Sequence, residues 1–244
     1  AVSGISTSYR AKDNELTGGI DHFDSIRRPG FYAGATETAG DHLIALGHIV
    51  KRSGLSAGDW VLEYGAGFGQ IALTFARLGI SVDTVDVDPA YCAAITKQSR
   101  FFNVNLTAFQ GEFGLNPREG HKYNLILFYE AFHHCLDFLD IIGKLRNYLK
   151  PEGKIMLAGE PIVGAAEPAV PYPWGIRLDA EAVAVVRARG WLELGFRESF
   201  LAGQFICQGF VWRPYPGIIS HYATLHEFRQ RPYAVRMAAE PPVI

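Results

Sequence analysis

From residue 60 onward, short apolar runs alternate with segments whose apolar positions recur at helical spacing. Trp60-Val61-Leu62 leads into a glycine-rich turn, and Ile71 to Leu78 reads as the following helix, stopped by Gly79. Val82 to Val87 is a second strand; Asp88-Pro89 then supplies an N-cap and a first-turn proline. Leu106 to Phe109 and the wholly apolar YNLILFY of Tyr123 to Tyr129 predict strands three and four, the latter buried on both faces. Phe138, Ile141, Ile142, Leu145 and Leu149 form a helical stripe closed by Pro151 and Gly153, and Lys154 to Ala158 is a fifth strand. A Pro/Gly-rich connection over 160–178 precedes a helix capped by Asp179 and running through Arg189. Trp191 to Phe200 and Phe205 to Trp212 read as two last strands in a hairpin turned at Ala202-Gly203. Before all of these, Leu43, Ile44, Leu46, Ile49 and Val50 mark one helix face over about 36–53.

This alternation predicts an α/β fold of the Rossmann-like kind: seven strands, mostly parallel, with an antiparallel final strand and helices on both faces. The expected division is an N-terminal lid and helical segment over 1–53, a core over 54–213 and a C-terminal tail over 214–244, which lacks clear periodicity. Phe31 and Tyr32 are the expected lid aromatics, or else staple the helix to the core.

Composition narrows the function classes. At 48% hydrophobic and 20% charged residues the 244-residue chain is globular, and a net charge of −2 gives no support to nucleic-acid or anionic-membrane binding by bulk charge. Cys92, Cys135 and Cys207 are few and widely spaced, which argues against a disulfide framework and for a reducing, cytoplasmic setting. No apolar run approaches the roughly 18 residues of a membrane span. The start AVSGISTSYR has no signal pattern and no Met, which fits a domain cut from a larger polypeptide. Nothing in the pattern sets an oligomeric state.

The candidate chemistry sits at strand ends. Glu63-Tyr64-Gly65-Ala66-Gly67-Phe68-Gly69 follows the first strand, where open α/β sheets bind ligands. The spacing is GxGxG, followed by Gln70, so the dinucleotide fingerprint is not met and a nicotinamide oxidoreductase is disfavoured. Glu63 suits a cationic ligand, Asp86 the hydroxyls of a ribose, and Glu112 with Phe113 an adenine. Together they describe an adenosine with a positive group near Glu63.

Residues 59–69, 82–89, 110–113, 123–137 and 149–157 resemble the successive motifs of class I S-adenosylmethionine-dependent methyltransferases. The resemblance implies S-adenosyl-L-methionine as cofactor and S-adenosyl-L-homocysteine as product. It places Glu63, Gly65 and Gly67 at the methionine moiety, Asp86 at the ribose, Glu112 and Phe113 at the adenine and Tyr129 beside the cofactor, with Ala66, Gly69 and Val87 as further cofactor-binding residues. The family more often has Asp where this chain has Glu112. The stretch 173–179 (PWGIRLD) is also similar to methyltransferase domains linked to bacterial surface-polysaccharide synthesis.

The expected acceptor is therefore a small molecule or a glycan, with O-methylation favoured. His133 or His134, in the loop after strand four, is the candidate base, or else orders that loop. Glu160, past strand five, orients an acceptor hydroxyl or caps the turn. Trp174, Arg177 and Asp179 suit a sugar ring, or Trp174 packs the connection. No metal is expected, because His133, His134, Cys135 and Asp137 diverge and no second ligand pair is spaced to complete a site. A cofactor-binding partner subunit without catalysis is the alternative.

Overall fold

The structure, a computed structural model, describes residues 9–23, 35–164 and 167–231. A single helical turn, α1 (Ala11–Asn14), precedes the long helix α2 (Thr36–Ser53). The alternating core follows as β1 (Trp60–Tyr64), α3 (Gln70–Arg77), β2 (Ser81–Asp86), α4 (Pro89–Phe102), β3 (Leu106–Gln110), β4 (Tyr123–Tyr129), α5 (Phe138–Leu145) and β5 (Leu149–Ala158). Then come β6 (Ile162–Val163), β7 (Trp174–Ile176), α6 (Ala180–Arg189), β8 (Leu194–Arg197), α7 (Glu198–Cys207), β9 (Phe210–Tyr215) and β10 (Leu225–Gln230).

Seven strands form the main sheet in the order β3-β2-β1-β4-β5-β10-β9. The pairings among β1 to β5 are parallel, and β10 is antiparallel to both β5 and β9. The sheet thus has the expected Rossmann-like form, with the last described strand reversed. Chain order turns back between β1 and β4, which opens a crevice at the carboxyl ends of these strands. The two faces are covered separately. Leu62, Tyr64, Phe128 and Phe132 belong to one apolar cluster, and Val61, Leu125, Ile71 and Phe75 to the other.

Strands β1 to β5 lie where the hydrophobic runs put them, and Asp88 and Asp179 cap their helices as expected, accepting from Ala90 N and Ala182 N. Three readings are corrected. The stripe that was to extend to Leu149 stops as α-helix at Leu145; β5 begins at Leu149 and carries Pro151 through a register irregularity opposite Tyr123 and Leu125. A proline is tolerated in a strand at such a bulge, where its missing N–H is not needed.

The terminal hairpin does not form. Ala202 and Gly203 lie inside helix α7, whose Leu201, Ala202 and Phe205 are buried at helical spacing. Finally, residues 225–230, read as part of a tail, are the strand between β5 and β9. Their alternation is hidden because Leu225, His226, Glu227 and Phe228 are all buried; Glu227 is held there by Lys154 Nζ at 2.9 Å and by Arg229.

The connection after β5 is not featureless. β6 and β7 pair with β8 in a second, three-stranded sheet of order β6-β8-β7. Trp174 packs edge-on against Phe138, with ring centroids 5.1 Å apart, which gives it the packing role. No described helix is long and apolar enough to cross a membrane.

Candidate active site

The turn after β1 is shaped by contact and by conformation. Gly65 (φ 63°) donates its N–H to Val85 O at 2.8 Å, and a Cβ there would come within 2.6 Å of the Ala131 Cβ. Gly67 (φ 49°) has nothing within 4 Å of a would-be Cβ, so bare backbone faces an open crevice. Its N–H donates to Asp86 Oδ2 at 3.0 Å, while Asp86 Oδ1 accepts from Asp88 N at 2.9 Å. The third glycine of the loop serves packing instead. Gly69 lies against Ile95, where a Cβ would meet Cγ1 at 2.5 Å, and it does not line the crevice.

Glu63, Gly65, Ala66, Gly67, Asp86, Val87, Phe113, Tyr129 and His134 do share one cavity. Glu112 is exposed and lines an adjoining chamber, which shares Ala11, Val87, Gly111, Phe113 and His134 with the first. The expected cofactor residues other than Gly69 therefore border one continuous cleft.

The cleft's electrostatics fit a cation. Glu63 is buried and its Oε2 has no hydrogen-bond partner. Burial pushes its carboxyl up to about 8, with the Ala72 amide opposing and the Asp86 charge adding to the rise. Burial likewise pushes Asp86 up to about 6 against the amides of Asp88 and Gly67. An orphaned acid oxygen beside an open glycine cradle fits the sulfonium-bearing nucleoside that the resemblance implies.

A roof from the N-terminal segment covers this cleft. Ala11 and Glu15 line the cavity from residues 9–23. The Thr17 N–H donates to Asp88 Oδ2 at 2.8 Å, and His22 stacks on Tyr91 with centroids 4.3 Å apart. Phe31 and Tyr32 lie outside the described residues.

The far wall comes from the end of β4. Glu130 adopts a left-handed φ of 47°, uncommon outside glycine, and lines the cavity with its side chain 24% exposed. Its Oε2 is 3.4 Å from His42 Nδ1, which also bonds the Tyr129 hydroxyl. Burial, then the charges of Glu160, Glu181 and Glu193, push the Glu130 carboxyl up to about 8, with His134 opposing. Burial lowers His42 to about 4. His42, Glu15, Glu130 and Trp191 are cavity residues the sequence reading did not select. Only Glu130 carried a readable signal, its place directly after strand four.

The expected catalytic trio separates. Glu160 is fully buried and caps the turn: Oε1 accepts from Ala131 N (2.9 Å) and Phe132 N (2.8 Å), Oε2 from His133 N (3.1 Å) and His133 Nδ1 (2.8 Å). Burial alone would raise its carboxyl; His133 and the amides more than offset this and hold it low. Glu160 thus takes the capping role and does not border the cavity. His133 is also buried off the cavity, with Nε2 3.7 Å from Glu193 Oε2. His134 does border it, with Nδ1 3.5 Å from Glu15 Oε2. Burial would lower His134, but Glu15, Glu193 and Glu160 together raise it. Arg177 is turned to Asp179 (2.8 Å) and Glu193 (3.6 Å), not to the cleft.

Residues 61–153 match the family model described as a methyltransferase domain. No curated protein matches the chain. Among solved structures, the YcgJ protein from Bacillus subtilis superposes with a TM-score of 0.60 at 20% identity, over 71% of this chain and 70% of its own. A SAM-dependent methyltransferase from Aquifex aeolicus gives 0.55 at 15% identity, over 85% of this chain and 95% of its own. Phosphoethanolamine N-methyltransferase 2 from Haemonchus contortus, solved with S-adenosyl-L-methionine, gives 0.56 at 17% identity, over 70% of this chain and 38% of its own.

Proposed function

From the match of residues 61–153 to a methyltransferase domain and from the shared fold, we propose a class I S-adenosylmethionine-dependent methyltransferase that transfers the methyl group to a hydroxyl of a small molecule or sugar. The observation that carries this reading is Glu130. A carboxyl held at the cleft wall by a left-handed backbone, and pushed up to about 8, is poised to take a proton near neutral pH. When bound, S-adenosyl-L-methionine supplies a methyl group on a sulfonium, and a neutral thioether leaves.

The chain's own residues do the rest. Glu63 sets a carboxylate beside the positive end of the cofactor, and Asp86 offers its oxygens to the ribose. Tyr129, tied to His42, borders the same space as Glu130. A Glu130 carboxylate oxygen would take the proton that the acceptor hydroxyl gives up on methylation. Residues 9–23 keep bulk water from the reacting groups. Holding nucleophile, carbon and sulfur in line is worth about 7–11 kcal/mol of the barrier.

The test is a labelled-methyl assay against hydroxylated metabolites and sugars across pH. The wild-type rate should rise with pH toward a plateau above about 8, because the carboxylate is the active form. Glu130→Gln should flatten that rise and lower kcat by about 10²–10⁴-fold with cofactor affinity kept. A variant with wild-type rate and profile removes Glu130 from the role. Methylated amines as the sole products would replace O-transfer by N-transfer, and no turnover on any acceptor would leave the partner-subunit alternative.

A further inference from the structure

We propose that His133, His134 and Glu193 form a divalent-metal site at the edge of the cleft, which His134 borders. One ligand atom from each of the three lies within 4.8 Å of the others. Tetrahedral bonds of about 2.0–2.1 Å place ligand atoms about 3.3 Å apart, so closing on an ion needs shifts of little more than an ångström. Glu193 directly precedes β8, which the second sheet brings against the turn after β4.

The outer shell is already built. Glu160 already accepts three backbone N–H groups, and His133 Nδ1 donates to it as well, at 2.8 Å. That leaves Nε2 as the free end of the ring, and it faces Glu193 Oε2 at 3.7 Å. A carboxylate on the back nitrogen of an imidazole, fixing its tautomer, is the arrangement found behind metal-bound histidines. Across from it, His134 Nδ1 is buried with no hydrogen-bond partner, 3.5 Å from Glu15 Oε2.

Charge points the same way. Glu15, Glu130, Glu160 and Glu193 surround the two imidazoles, and among the described residues Arg177 is the one arginine or lysine paired with any of them, at 3.6 Å. Four acids packed around two imidazoles suit a bound cation. Two imidazoles and one carboxylate favour zinc, cobalt, nickel or iron(II) over magnesium or calcium, which prefer all-oxygen sets. Three protein ligands leave a position for an acceptor oxygen beside His134, where the ion would ease loss of its proton. This last use rests on the hydroxyl-acceptor reading; the binding site itself does not.

The experiment takes the tag-free full chain, strips it with a chelator, and adds zinc, cobalt or magnesium. Metal analysis and calorimetry should find one equivalent of zinc, cobalt should give the visible absorption of a four- or five-coordinate ion, and magnesium should not bind. Glu193→Gln and His133→Asn should each weaken zinc at least tenfold while cofactor affinity, read by calorimetry, stays within twofold. Failure of the wild type to hold zinc or cobalt stoichiometrically, or unchanged affinity in both variants, overturns the site. Metal bound as expected without methylation of any hydroxyl supports the site and overturns the acceptor reading. Hydroxyl methylation by a chain that binds no metal does the reverse.

Discussion

Glu63 and Asp86 are buried acids facing each other's field across the cleft, and their ionisation is set by what fills it. Below the ordinary carboxyl range both are protonated in the folded and the unfolded chain, so the ligand-free fold keeps its full stability. As pH rises, the unfolded carboxyls release protons first, and the fold loses stability until Glu63 ionises near 8. We expect the urea midpoint of the cofactor-free protein to fall between about pH 5 and 8, and Glu63→Gln to remove part of that fall, with Glu130, also raised to about 8, keeping a share. Binding a sulfonium reverses the preference and draws the proton off. Calorimetry at pH 7 in buffers of different ionisation heat should therefore show proton release by the wild type and less by Glu63→Gln. Both acids were legible in the sequence because each ends an apolar run. The role of Glu160 was not: a carboxylate that caps a turn and one that meets a substrate look alike until its four hydrogen bonds are seen.

Elements were legible wherever burial on both faces made a strand apolar throughout, as in Tyr123 to Tyr129, or where a cap marked a helix start, as at Asp88 and Asp179. Reading failed where aromatic residues dominate a helix. Within Glu198–Cys207 the phenylalanines favour a strand by propensity, yet Leu201 and Phe205, one turn apart, bury the same face. Leu201→Ala should thus behave as a core truncation and cost about 2–5 kcal/mol in denaturant unfolding. An exposed hairpin residue would lose far less, so the measurement separates the two assignments. Strand β10 escaped because His226 and Glu227 are buried polar residues, Glu227 being paired with Lys154 from far away in the sequence.

At the scale of the whole molecule, the turn-back between β1 and β4 places one cleft at the meeting point of the first glycine turn, the roof segment and Trp191. Because these parts come from both ends of the chain, a ligand that bridges them stabilises the entire fold. At a hundredfold excess over Kd, S-adenosyl-L-methionine should add about 2.7 kcal/mol. For a chain of this size that is a rise in Tm of roughly 5–10 °C. Asp86→Ala removes both the ribose-facing carboxylate and the anchor of the Gly67 amide. It should weaken the cofactor more than tenfold and lose most of the shift; an undiminished shift would remove Asp86 from the site.

The insertion of β10 between β5 and β9 also dictates an order of events during synthesis. When Tyr215 has left the ribosome, β9 exists but has no neighbour, and β5 presents a bare flank of amides and carbonyls. Such a flank is a template for pairing with other nascent chains. Only arrival of residues 225–230 closes it, so the last described strand acts as the latch of the whole sheet. A premature stop before Leu225 should yield inclusion bodies rather than a shorter working protein.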